Sequence, residues 1–135
     1  MRLGVIVPMG IVAVAAAGLV IVSRQVPGRR LEIGGLYSVQ KEEQGYAVAK
    51  VLVLDEAVHV RVYKERFSER PSRVGEAKLT LGSVYDREGF GFGHIPLSRE
   101  AFAARKPVFV QSSSVRAEEL DGYQEWKKHG GGVWR

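Results

Sequence analysis

The chain has 135 residues, 45% hydrophobic and 26% charged, which is room for one domain, and its lack of cysteine excludes disulfide staples, thiolate zinc sites and a cysteine nucleophile. Its net charge of +5 points toward nucleic acid only until the chain is divided: Arg2, Arg24, Arg29 and Arg30 precede Leu31, and sixteen basic residues face fifteen acidic ones beyond it. A surplus of one charge does not make the clustered Lys and Arg face that phosphate contacts need, so nucleic acid is excluded as a partner.

The first predicted element is a membrane anchor. Leu3 to Val22 is twenty residues without a charge, and as a helix it would span about 30 Å, the thickness of a bilayer's hydrocarbon core. The reading divides the chain into an anchor over 1–24, a linker over 25–35 rich in turn residues, and a small β-rich domain over 36–135. A cleaved signal peptide is the alternative, with Ala15-Ala16-Ala17 as the cleavage site, but Gly18 to Val22 stays apolar beyond it. A buried core helix is a third. Arg24, Arg29 and Arg30 outnumber Arg2 across the span, which places the domain on the cytoplasmic side. Gly10, Ala13, Ala17 and Gly18 put small residues at helical spacing, which would let two anchors pack as a weak homodimer.

Leu36 to Val39 predicts a first short strand, and Tyr46 to Leu54 a long one after the Gln44-Gly45 turn. Ala57 to Tyr63 alternates, with Val58, Val60 and Val62 on one side and His59, Arg61 and Tyr63 on the other. Asp55-Glu56 joins the two runs as an antiparallel hairpin. The valines are expected to be buried and the polar side exposed. Lys64 to Glu76 predicts a loop, Ala77 to Val84 a third long strand, and Gly89-Phe90-Gly91-Phe92-Gly93 a strand whose glycines admit a neighbour's backbone or ring. Ser98 caps a short helix through Ala104, and Pro107 to Gln111 is a further strand. A last helix begins at Ser114 as N-cap, carries Leu120, Tyr123 and Trp126 on one packing face, and ends at Gly130-Gly131-Gly132.

Few of these residues carry a chemical signature. The glycine-rich stretch lacks the spacing and the following helix of a phosphate loop. His59, His94 and His129 lie in different elements without ligand spacing, so neither a metal nor another cofactor is implied. His94, between the glycine strand and the Pro96 turn, is expected to bond a turn carbonyl. A hydrolase centred on His94 would need one of Ser112 to Ser114 together with Asp55 or Asp86, and no serine sits in a nucleophile elbow. The other pattern is a recognition face. Tyr46, Lys50, His59, Arg61 and Tyr63 fall on one side of the hairpin and suit a peptide or an anionic group.

The hairpin from Ala47 to Phe67 resembles the second and third strands of small SH3-like and Tudor-like barrels. Gly93 to Ser98 and Gly122 to Trp126 look like stretches of uncharacterised bacterial proteins. The resemblance implies a bent sheet or partial barrel. The Tudor aromatic cage does not carry over, because nothing in the sequence makes Tyr37, Tyr46 and Tyr63 converge. The expected fold is α+β: a bent antiparallel sheet covered by a C-terminal helix. The expected function is a membrane-tethered module that binds another protein, with the His94 hydrolase as the alternative.

Overall fold

The computed structural model describes residues 30–41 and 45–135. The anchor expected over 3–22 lies outside them, and among the described residues no helix is long and apolar enough to cross a membrane. Leu31–Arg135 forms a compact unit of its own.

Five strands build one antiparallel sheet: β1 (Leu36–Gln40), β2 (Tyr46–Leu54), β3 (Val58–Val62), β4 (Phe92–Leu97) and β5 (Val108–Gln111), in the order β4-β3-β2-β1-β5. The α+β class and the β2–β3 hairpin agree with the sequence. The Asp55 side chain accepts the Ala57 N–H at 2.9 Å and closes the turn, the local bond that makes Asp a turn former. Two short helices follow, α1 (Arg99–Ala104), capped by Ser98 at 3.0 Å from the Ala101 N–H, and α2 (Asp121–Lys128).

Ala77 to Val84 is not a strand. A 3-10 turn over Glu76–Lys78 replaces its start, and Gly82 takes a left-handed φ of +68°. The segment offers single backbone bonds instead of a ladder: Thr80 O accepts from Lys64 and Leu81 O from Gly91. Leu79 and Leu81 pack on the sheet at alternate positions, a pattern that any extended chain lying across a core produces. The last helix also starts later than expected. Ser114 gives its carbonyl to Lys50 and caps nothing; a 3-10 turn over Ala117–Leu120 leads into α2.

Both faces of the sheet are covered. Tyr37, Val39, Ala47, Ala49, Val51, Val58, Val60 and Leu97 form one core with Phe102 of α1. Leu36, Val48, Tyr63 and Val110 form a second beneath Phe67, Val74, Leu79 and Leu81. The expected burial of Val58 and Val60 holds and Val62 is only half-buried, but the expected exposure of the opposite side does not hold. Lys50 and His59 are fully buried and Tyr63 is 4% exposed. Strict alternation shows that a strand has two unlike faces; it does not say whether water or another segment lies on the polar one.

Bulges aim this polar face. Val60 pairs with Ile95 and Val62 with Phe92, so Arg61 stands opposite both Gly93 and His94. Gly91 allows the strands to meet there, since a Cβ on it would lie 2.1 Å from the Val62 carbonyl oxygen.

Candidate functional site

Two polar clusters occupy the second face of the sheet. The first is centred on Lys50 in the middle of β2. Its ammonium donates to Glu76 Oε2 at 2.7 Å, to Glu119 Oε1 at 2.9 Å and to the Ser114 carbonyl at 2.7 Å. Three donors therefore meet three acceptors, and no proton of the buried ammonium is left without a partner. Burial pulls the Glu119 carboxyl upward, but the Arg116 backbone N–H and Lys50 outweigh it and hold the group below its ordinary value. Glu76 is held down in the same way by Lys50 and the Ser113 hydroxyl.

The second cluster lies at the turn end of the hairpin. Asp55 Oδ1 bonds His59 Nε2 at 2.7 Å, and His59 Nδ1 bonds His94 Nε2 at 2.9 Å. With Asp55 ionised, His59 donates to it and accepts from His94. The Tyr123 hydroxyl donates to Asp55 Oδ2 at 3.2 Å, and the rings of Tyr123 and Trp126 stand edge-on to His59 at 4.8 and 4.5 Å. Burial and then the neighbouring His59 push His94 down to about 4. Burial raises the Asp55 carboxyl, but the Ala57 N–H and His59 overcome that and leave it lowered. α2 can lie this close because residue 122 is glycine: a Cβ there would sit 2.6 Å from the His94 Cβ.

His94 therefore bonds another histidine rather than a turn carbonyl. Its chain of contacts reaches Asp55, while the serines proposed beside it sit elsewhere. The hydroxyl of Ser112 donates to Glu32 and that of Ser113 to Glu76, and Asp86 pairs with Lys64. His129 lies apart at the end of α2, bonding the Glu125 carbonyl. Among the described residues no group of three or more His, Asp or Glu can hold a metal ion.

Of the five predicted recognition residues, Lys50 and His59 anchor the two clusters and Tyr46 lies at the far end of β2, under the Arg70 guanidinium at 4.6 Å. Arg61 and Tyr63 converge. Both line a cavity of about 290 Å³, with Glu76, Leu79, Ser113 and Arg116 among its other walls. The Arg61 side chain is 17% exposed, its Nε meets the Gly93 carbonyl only at 3.4 Å, and its ion pair to Glu119 is 3.8 Å long. The Tyr63 hydroxyl has no hydrogen-bond partner among the described residues. Burial, and next the charges of Glu119 and Glu76, push it up to about 12, so it remains a donor. Sequence reasoning named Arg61 and Tyr63 but missed Glu76, Ser113 and Arg116. Nothing local in the sequence ties these to the hairpin, since they arrive on loops distant along the chain.

A second cavity, of about 370 Å³, lies on the opposite face between α1 and β4, walled by Val60, Ile95 and Phe102 and rimmed by Arg105 and Trp134. No family model matches the chain, and neither a curated protein nor a solved structure is significantly similar to it.

Proposed function

We propose that the chain is a membrane-tethered binding module whose ligand occupies the cavity beneath the hairpin's polar face. The observation that carries this reading is Tyr63, a residue 4% exposed that lines a polar cavity and whose hydroxyl has no hydrogen-bond partner among the described residues. Buried polar groups in folded proteins are satisfied almost without exception, and one that is not marks a place where something else completes the bond. A ligand there replaces the exposed docking face that the alternation suggested. In this proposal residues 3–22 are the tether and the arginines after them keep the domain on the cytoplasmic side.

The full chain, incubated with an extract of small metabolites and washed, should retain a species detectable by mass spectrometry. Arg61→Ala combined with Tyr63→Phe should release it. Equal retention by the variant, or no retained species, overturns the reading. An alkaline carbonate wash tests the tether: the intact chain should stay with the membranes, and its release would count against residues 3–22.

One observation favours a second reading, a hydrolase. His94 ends a chain of side-chain contacts that begins at the Asp55 carboxylate, an arrangement that can orient a general base. Turnover of an ester substrate that His94→Ala abolishes, with no retained ligand, would establish this reading in place of the first.

A further inference from the structure

The cavity's unused valences specify what it takes. The carboxylates beside it and the Ser114 carbonyl are already engaged. Glu119 Oε1 receives Lys50 and the Arg116 backbone N–H, both at 2.9 Å, and Oε2 receives Lys50 at 3.3 Å and Arg116 Nη2 at 3.4 Å. Glu76 receives Lys50 on one oxygen and the Ser113 hydroxyl on the other. The Ser114 carbonyl takes the remaining proton of Lys50. What remains is donors: the Tyr63 O–H, without a partner among the described residues, and the Nη groups of Arg61, whose nearest carboxylate oxygen, on Glu119, is 3.8 Å away. A ligand has to bring oxygen acceptors to a guanidinium and a phenol.

Resting on the cavity as a binding site, we propose that the ligand is a compact monocarboxylate, paired with Arg61 and hydrogen-bonded by Tyr63. The guanidinium fork matches two carboxylate oxygens, whereas a neutral amide offers it one. Lys50 is satisfied by two glutamates, which leaves Arg61 as the side chain, mostly removed from water, that lacks a close counter-charge. One negative charge answers it. Glu76 and Glu119 disfavour the second charge of a phosphate dianion, and Arg116 on the same wall is already paired with Glu118 and Glu119. Ala77, Leu79 and Leu81 complete the lining and suit a short carbon skeleton. The volume of about 290 Å³, room for roughly ten waters, suits a small acid or the end of a longer one. Both a free short-chain acid and the C-terminus of a peptide present this group.

The test follows the methyl resonances of Ala77, Leu79 and Leu81 in the detergent-solubilised full chain, titrated separately with butyrate, butyramide, inorganic phosphate and an N-acetylated dipeptide bearing a free carboxylate. Butyrate should move these methyls, while butyramide and phosphate should not. Arg61→Gln should weaken the response by about tenfold or more, the scale of a lost charged hydrogen bond, with the rest of the spectrum unchanged. Tyr63→Phe should weaken it less. A response to the dipeptide alone keeps the carboxylate and identifies a peptide terminus as its source. Equal responses to butyrate and butyramide, or a response to phosphate alone, overturn the carboxylate and leave the cavity as a site. No response to any probe, with a metabolite still retained from the extract, overturns the carboxylate alone. No response and no retained metabolite overturn the binding site as well, leaving a cavity filled by water.

Discussion

Lys50 shows how much of this fold depends on one charge. It stands between Val48 and Leu52 on a strand whose neighbours are almost all apolar, and its stem is packed among them while its ammonium meets two carboxylates and a carbonyl. Its worth is measured by what its removal leaves behind. In Lys50→Met the stem's volume survives but Glu119, fully buried, loses its nearest counter-charge and keeps only Arg116 at 3.4 Å and Arg61 at 3.8 Å. Breaking a buried pair from one side typically costs about 3–5 kcal/mol. Urea unfolding of Lys50→Met should show a loss of that order. A loss below about 1 kcal/mol, the scale of an exposed ion pair, would mean that the cluster is wet in solution.

At the scale of elements, α2 and the β2–β3 turn are joined by the Asp55–His59–His94 contacts and by Tyr123. His94 takes up its proton near 6.5 in the unfolded chain but near 4 in the folded one. Between these values the unfolded state binds more protons, so stability should fall as the pH drops from about 6.5 to about 4. Asp55 adds a loss further down, below its ordinary value of 3.8, as the pH falls through its lowered folded value. His94→Gln should flatten the profile of Tm against pH above about 4.5 and leave the acid limb, where Asp55, Glu76 and Glu119 titrate. An unchanged slope near pH 5.5 would show that His94 is not the group responsible. Gly122→Ala tests the contact sterically. The added methyl would meet the His94 Cβ at 2.6 Å and lift α2, at a cost of about 1–3 kcal/mol for overpacking, with Trp126 fluorescence reporting the movement. These same elements divide what the sequence disclosed from what it did not. The hairpin was legible because Asp55 supplies its own turn bond and the valines keep a period of two. The packing face of α2 was legible because Tyr123 and Trp126, three residues apart, are its half-buried side chains. The polar clusters were not, because a lysine in a β run looks the same whether water or a glutamate 69 residues away receives its charge. The strand expected over Ala77 to Val84 failed for the same reason: Leu79 and Leu81 report burial, and burial alone does not supply a ladder partner.

For the whole molecule the arrangement means that assembly has an order in time. The hairpin's residues are close in sequence, and such hairpins form in about 1–10 μs. Lys50, however, is completed by Glu76, Ser114 and Glu119, which lie 26, 64 and 69 residues further along. Until those segments arrive, burying its charge is penalised, and that side of the sheet has to stay wet. Contacts this distant in sequence are slow to form. In pulse-labelled hydrogen exchange during refolding, the amides of Lys64, bonded to the Thr80 carbonyl, and of Arg116, bonded to the Glu119 carboxylate, should gain protection in one late phase, although the hairpin's own inner amides gain it earlier. Early, separate protection of Lys64 would show that this face closes without the glutamates. A ribosome delivers the same residues in one direction only. While residues 46–62 are already outside it and Glu119 has not been made, the hairpin has a hydrophobic side ready to collapse and a charged side that cannot follow, and the nascent chain remains half closed until that single glutamate emerges.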